Sequence, residues 1–107
     1  MVSKYQYPYI LQISIINPST KDENGNWSEE TESWVNLCRC RDEAGKGKKV
    51  TDSDNTIHEY TFLIQKPEGV EPIKKGTKVR VMEGNVKRAE GTVIYSRKDK
   101  FHSRTWV

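Results

Sequence analysis

The sequence contains little of what a large hydrophobic core requires. Of its 107 residues, 34% are hydrophobic and 31% are charged. A chain this polar lies near the composition at which buried apolar area no longer offsets the entropy lost on ordering. We therefore predict a single domain over residues 1–107, with a small core and long polar loops, some of which become ordered only against a partner.

Long apolar runs are also missing. No segment approaches the roughly 18 apolar residues that a transmembrane helix needs. The stretch 9–16 is too short for the core of a signal peptide, and no small-residue cleavage pattern follows it. We expect a soluble protein that stays where it is made and does not contact a membrane.

Cysteine is scarce, and its placement argues against a disulfide, a metal or a nucleophile. Cys38 and Cys40 flank one residue, so on a strand they would share a face at roughly 6.5–7 Å, too far apart to bridge. This fits a reducing compartment. Zinc sites use longer Cys spacings on turns, and only residue type would pair either thiol with His58 or His102. We predict no catalytic residue, no metal and no cofactor.

Neither positive nor negative charge dominates the sequence, but the charged residues are unevenly distributed along it. Residues 1–55 contain 7 basic and 9 acidic residues, for a net charge of −2, whereas residues 56–107 contain 11 basic and 6 acidic residues, for a net charge of +5. Such a molecule can associate head to tail with its own copies, or its basic side can contact phosphates. A solvated surface without a partner is the third interpretation.

The apolar residues that are present recur at period two, which predicts strands. The strands are predicted at 9–16, 34–41, 56–65, 77–82, 88–96 and 104–107. Polar loops are predicted at 17–33, with a turn at Asn24-Gly25, and at 42–55. This pattern predicts an all-β fold, a single small, partly closed β-barrel of about six short antiparallel strands, because closure removes exposed sheet edges.

Several individual residues carry structural expectations. Alternation places Trp34, Asn36, Cys38 and Cys40 on one face of the second strand. Gly91 within a strand predicts a bulge or a bend. The final Trp-Val indicates a last strand paired into the sheet, or an end buried in a partner. Trp27, in a polar loop, is either a lid on the barrel or a contact residue.

The runs at 75–81 (KGTKVRV), 90–95 (EGTVIY) and 101–107 (FHSRTWV) have a recognisable pattern. Together with 22–27 (DENGNW) and 34–39 (WVNLCR), they resemble the small head-closure, or head–tail joining, proteins of tailed bacteriophages. The resemblance spans nearly the whole chain. The sequence departs from it at Cys38-Arg39-Cys40, where aliphatic residues are expected.

The resemblance implies a non-catalytic β-barrel subunit of a ring between the DNA-filled head and the tail. The implied partners are portal or adaptor proteins, tail proteins and copies of the same chain, with non-specific DNA contact. The implied location is the virion, or the host bacterial cytoplasm during assembly. The loops 17–33 and 42–55 would dock on neighbouring rings or close the channel.

These implications give three residue-level hypotheses. A subunit interface would join acidic residues of one copy to basic residues of the next and include the last tryptophan: Glu29, Glu30, Glu32, Lys78, Arg80, Arg104 and Trp106. The DNA channel would be lined by Lys46, Lys48 and Lys49. Trp27 would be a loop contact.

Two other function classes are open on the sequence. A small basic β-barrel can bind nucleic acid when exposed aromatics accompany a cationic groove. The aromatics predicted on strands are Tyr60, Phe62, Tyr95, Phe101 and Trp106. The other class is a domain that binds carbohydrate or protein at a cell surface.

Overall fold

The computed structural model describes residues 6–107, and every regular element in that range is a strand. The nine strands are β1 (Tyr9–Asn17), β2 (Thr31–Ala44), β3 (Lys49–Thr51), β4 (Ile57–Glu59), β5 (Phe62–Pro67), β6 (Lys78–Glu83), β7 (Val86–Thr92), β8 (Tyr95–Lys98) and β9 (His102–Trp106). Within residues 6–107 there is no helix with the length and apolar character needed to cross a membrane. The predicted all-β class is confirmed.

Two predicted strands and one predicted loop differ from the structure. The strands predicted at 56–65 and 88–96 are each divided in two, into β4 and β5 and into β7 and β8. The predicted loop at 42–55 is wrong in part, because β2 continues to Ala44 and β3 pairs with β4 in a separate two-stranded sheet.

Seven strands form one antiparallel sheet in the order β7-β6-β1-β2-β5-β9-β8. The long strand β2 joins its two halves. Its first part pairs with β1, from Asn17↔Thr31 to Tyr9↔Cys40, and its last four residues pair with β5, from Arg41↔Gln65 to Ala44↔Phe62. Pairing with β2 therefore sets the strand register in both halves of the sheet.

The predicted barrel is not confirmed, because no closed barrel is detected over residues 6–107. The edge strands β7 and β8 follow each other in the chain and are joined by Val93 and Ile94. The Val93 amide donates to the Thr77 carbonyl at 2.9 Å, and the Ile94 amide donates to the Trp106 carbonyl at 2.9 Å. The chain thus passes directly from one edge of the sheet to the other.

A β-bulge at Leu37 overturns the predicted face of β2. Leu11 pairs with Cys38, but the next residue, Gln12, pairs with Asn36, so Leu37 is the extra residue. A bulge reverses the alternation on the strand that contains it. Trp34 and Asn36 therefore lie on the face opposite to Cys38 and Cys40. The alternation within each half of β2 is correct.

The core lies on the face of the sheet that holds Leu11. It comprises Leu11, Cys40, Phe62, Ile64, Ile73, Val79, Val81, Val93 and Val107, all buried. Gly91 adjoins this core, and a β-carbon at that position would collide with the Val107 side chain. Gly91 is thus required by close packing, whereas the register shift of this hairpin lies elsewhere, between Val81 and Met82.

The C-terminal strand is paired into the sheet. This confirms one of the two interpretations of the final Trp-Val, a last strand within the sheet. Strand β9 lies between β5 and β8, and Trp106 pairs with Leu63 on one side and Tyr95 on the other. Beyond β9, the Val107 amide donates to the Phe62 carbonyl at 3.0 Å. The Val107 carbonyl in turn accepts the Thr61 amide at 2.7 Å.

Candidate interaction surface

The β1–β2 hairpin extends past the rest of the sheet, and we call its residues 13–37 the arm. The β1–β6 ladder ends at Ile13↔Val79, and β5 pairs with β2 only from Arg41 onward. Past Ile13, β1 and β2 therefore pair only with each other. A two-stranded ribbon is marginally stable in water by itself, so the arm is a natural site for further contacts.

Apolar side chains on the core-facing side of this hairpin remain accessible. Ile15 is 42% exposed, Val35 37% and Leu37 41%. The paired positions Ile13↔Val35 continue the core face outward from Leu11. Burying such side chains is favourable at about 25 cal/mol per Å² of apolar surface. The core face thus continues onto the arm without a covering layer from the described part of the chain.

A cavity of about 450 Å³ opens beside the base of the arm, and we call it the groove. Its walls are mainly aliphatic and come from β1, the β2 bulge and the segment between β5 and β6: Ile13, Leu37, Val70, Glu71, Pro72, Ile73, Lys74 and Thr77. Apolar clefts of this size with a few polar groups are the usual form of binding sites.

The opposite side of the sheet near the arm is a polar network around Arg80. The Arg80 Nε donates to Gln12 Oε1 at 2.7 Å, and Gln12 Nε2 donates to Asn36 Oδ1 at 2.8 Å. The Arg80 guanidinium carbon lies 4.2 Å from the centre of the Trp34 ring, an arrangement that favours a cation–π contact. Arg80, a predicted interface residue, therefore already has partners within its own chain.

The other predicted interface residues are not brought to one place. Lys78 Nζ lies 3.3 Å from Glu32 Oε2 of the same chain, so the predicted pairing of these charges occurs within one subunit. Glu29 and Glu30 are exposed just before β2. Arg104 pairs with Asp99 at 2.9 Å on the far half of the sheet. Trp106 is only 6% exposed.

The tip of the arm is a tight turn that presents Trp27. Asp22 Oδ1 accepts the backbone amides of Asn24 at 2.9 Å and Asn26 at 2.8 Å. Gly25 has a φ of 83°, which explains the Asn-Gly turn signal. Trp27 forms a β-bridge with Lys21 through its backbone, and its side chain is 67% exposed. Trp27 does not cover the core, so it is not a lid in this structure.

The predicted DNA-channel lysines lie at the turn between β2 and β3. Lys46 and Lys48 are exposed in this turn, where Lys46 has a φ of 51°, and Lys49 begins β3. None of the three forms an ion pair in the described part of the chain. They form a small exposed basic cluster at the base of the β3–β4 hairpin.

The β3–β4 hairpin is closed by Asp52 and His58. His58 Nε2 lies 2.7 Å from Asp52 Oδ2, and Asp52 Oδ1 accepts the amides of Thr56 at 3.0 Å and Asp54 at 2.9 Å. The bond with His58, followed by the amide bonds, lowers the pKa of Asp52 below its ordinary value. The hairpin is therefore stabilised by the ionised carboxylate.

We predict that His58→Ala moves the pKa of Asp52 back toward its ordinary value of 3.8. Because the folded pKa of Asp52 is lowered, its stabilising contribution is complete above the unfolded pKa and is lost as the pH falls through the folded pKa. NMR titration of the carboxyl carbon measures this directly. An Asp52 pKa that is the same in wild type and variant would contradict the assignment.

Neither cysteine has the environment of a nucleophile. Burial raises the pKa of Cys38 to about 11 and that of Cys40 to about 12, so both thiols are neutral at pH 7. Within residues 6–107 there is no cluster of three or more His, Cys, Asp or Glu side chains placed to hold a metal ion.

The five aromatic residues predicted on strands do not form an exposed stacking platform within residues 6–107. Phe62 and Trp106 are buried, and Tyr60 and Tyr95 are half-buried. Of the five predicted strand aromatics only Phe101 is exposed, at 69%, and it lies in the β8–β9 turn. Many basic side chains are also paired with carboxylates, including Lys78, Lys87, Arg88, Arg97, Lys98 and Arg104.

Comparison with known proteins identifies no relative, since no family model, curated protein or solved structure matches the chain.

The residues that line the groove were not among the predicted site residues. Val70, Pro72 and Ile73 lie between the predicted strands 56–65 and 77–82, where no site residue is predicted. Three apolar residues within four positions of an otherwise polar connection are the signal that could have indicated them. Leu37 lacked such a signal, because its exposure follows from the bulge.

Proposed function

We propose that this chain is a structural subunit of a head–tail connector of a tailed phage or prophage, without catalytic activity. In this role it joins a ring between portal or adaptor and tail proteins and helps to close the DNA channel. The sequence resemblance supports the family, and one structural observation supports an assembly role. That observation is the arm, whose apolar core-facing side has no cover in the described chain.

In the assembled ring, we propose that the seven-stranded sheet acts as a partly closed barrel. The direct connection of β7 to β8 through Val93 and Ile94 supports this, because it brings the two edges of the sheet together. An edge that is blocked in this way is less available for non-specific strand pairing. The arm then becomes the preferred place for contact with other proteins.

The charges support a more limited interface than the sequence hypothesis. Glu29 and Glu30 are exposed and form no ion pair among the described residues, so they remain available to basic groups of a neighbour. Lys78 and Arg104 would first have to leave Glu32 and Asp99. Exposed ion pairs are weak, about 0–1 kcal/mol, so such an exchange costs little but also contributes little.

Lys46, Lys48 and Lys49 are the basic residues that we propose to face DNA. Contacts of this kind go to phosphates and do not read base sequence. Their exposed position on a turn, without carboxylate partners in the described range, supports the assignment. DNA contact is then a secondary property of the ring and depends on its assembly.

Deletion of the coding region from the phage or prophage that contains it tests the proposal. We expect separate heads and tails in electron micrographs, with heads that package DNA but release it because the channel is not closed, and with joined particles restored by the wild-type chain in trans. Normally joined particles in the deletion strain would contradict a connector function. Heads that never begin to package DNA would point to an earlier step and would also contradict it.

Fluorescence anisotropy with single- and double-stranded DNA and RNA tests the nucleic-acid alternative. We expect weak binding by the isolated chain, in the non-specific range of roughly 10⁻⁴–10⁻⁶ M at physiological salt, that declines steeply as salt increases. Submicromolar binding that persists at moderate salt would favour a nucleic-acid-binding module over the connector.

A further inference from the structure

The groove and the tip of the arm are complementary surfaces on one molecule. The groove is open and mainly aliphatic, with a volume of about 450 Å³. The tip presents one large apolar side chain, Trp27, that is 67% exposed and held on a hydrogen-bonded turn. Rigidly presented tryptophans that fill apolar pockets are among the residues that contribute most to protein interfaces.

Trp27 cannot occupy the groove of its own chain. The groove meets the arm at Ile13 and Leu37, whereas the β1–β2 ladder continues to Asn17↔Thr31 before the tip begins. Asn17 is four residue steps along the strand from Ile13, a distance of roughly 13 Å. The hydrogen bonds of the ladder hold the tip away from the groove, so any tip that enters a groove belongs to another molecule.

The charges around the two surfaces have opposite signs. Residues 21–30 contain four acidic residues, Asp22, Glu23, Glu29 and Glu30, and one basic residue, Lys21. At the groove, the wall residue Glu71 is already paired with Lys98 at 2.7 Å. The wall residue Lys74 and the following Lys75 are in no ion pair in the described chain, so they leave the rim with an excess of positive charge. Complementary charge at the rim of an apolar contact fixes its orientation.

We propose that the tip of one copy binds in the groove of the next, with Trp27 as the anchor and the acidic residues of the tip beside Lys74 and Lys75. The contact joins two different surfaces of the same chain, and such heterologous contacts generate rings when the rotation closes. This inference rests on the proposed function, because it names the self-contact from which the connector ring is built. Its occupant is a second copy of this chain.

Sedimentation velocity of the purified full chain over a concentration series tests the contact. Wild type should self-associate, and Trp27→Ala should weaken the association by roughly tenfold or more, since a central anchor usually accounts for at least that much. Phe101→Ala is the matched control, because Phe101 is an equally exposed aromatic, at 69%, outside the tip and the groove. It should associate as wild type does.

Leu37→Asp tests the same contact by altering the groove and leaving the tip unchanged. Leu37 is 41% exposed, so the carboxylate stays hydrated and the fold should persist, with an unchanged circular dichroism spectrum and unfolding midpoint. In the groove it removes an apolar contact and repels the acidic tip. Leu37→Asp alone should therefore be as defective in association as Trp27→Ala.

Mixing the two defective variants distinguishes this contact from any symmetric one. Trp27→Ala retains a groove and Leu37→Asp retains a tip, so together they can form one complete contact and should give a 1:1 dimer that does not grow. A mixture that stays monomeric would overturn the proposal, as would a wild-type chain that is monomeric throughout, or variants that associate like wild type. Head–tail joining in the deletion strain is measured separately, so either idea can fail without the other.

Discussion

Replacement of Trp106 by alanine is expected to lower the free energy of unfolding by about 3–5 kcal/mol. The Trp106 side chain is only 6% exposed. Its ring is stacked on Tyr95 with the centroids 5.3 Å apart, and the Arg97 guanidinium carbon lies 5.2 Å from its centre. Loss of the indole leaves a cavity between β5 and β8 and removes both ring contacts.

Urea denaturation followed by circular dichroism measures this loss. Because small domains have a total stability of about 5–15 kcal/mol, Trp106→Phe is included as a milder variant that keeps a ring against Tyr95 and should lose less. Trp27→Ala is the matched control and should unfold within about 0.5 kcal/mol of wild type, as surface substitutions do. Equal losses at Trp106 and Trp27 would contradict the burial of the C-terminal strand.

The period-two pattern predicted most strands because one face of each is buried. Leu11 and Val81, for example, both lie in the core and both occur in segments of alternating polarity. The division of two predicted strands could not be predicted in this way. Thr61 and Ile94 lie at the breaks, and their amides donate to Val107 and Trp106, which are distant in sequence. Such bonds exist only once the sheet has formed.

The arm illustrates a second limit of sequence reasoning. The extra residue at Leu37 depends on how β2 aligns with β1, and a one-residue change of register exchanges the two faces. The exposed apolar side of the arm follows from where neighbouring strands end, at Val79 and Arg41, which local pattern does not encode. The turn around Gly25 was predictable because its conformation is set by nearby residues.

The distribution of charge along the sequence was the least reliable predictor of which charged residues form an unpaired surface. The basic second half of the sequence predicted a cationic face, but the fold places carboxylates beside many of its cations, as for Arg88, whose Nε lies 3.1 Å from Asp42 Oδ1. Asp42 precedes Arg88 by 46 residues, and only strand pairing brings them together. Among the described residues, cations without carboxylate partners, such as Lys74 and Lys75, are the ones that remain available to a partner.

The alternation of side chains along β5 places one charged residue, Lys66, in the interior of the protein. Phe62 and Ile64 lie on one face of β5, and Lys66, which follows the end of the predicted strand 56–65, is the next residue on that face. The Lys66 side chain is fully buried. Its Nζ has only long contacts, 3.4 Å to the Glu71 carbonyl and 3.4 Å to Ser96 Oγ, and burial lowers the pKa of Lys66 to about 8.

Lys66→Met is therefore expected to raise the free energy of unfolding at pH 7, by an amount on the order of 2 kcal/mol once the lost hydrogen bonds are allowed for. The folded pKa of Lys66 is lowered from 10.5 to about 8, so between these values the unfolded chain binds the proton and the folded chain does not. The stability that Lys66 contributes to wild type thus increases with pH across this window, and the advantage of Lys66→Met should shrink by pH 10.

Urea denaturation at pH 7, 8.5 and 10 measures the difference between the two proteins. Cys38 and Cys40, whose raised pKa values oppose the trend above pH 9, are present in both proteins and largely cancel in that difference. Lys75→Met, at an exposed position, is the matched control and should show no pH-dependent gain. A Lys66→Met protein that is less stable than wild type, by the same amount at every pH, would show that the buried ammonium is stabilised by its contacts and not penalised by burial.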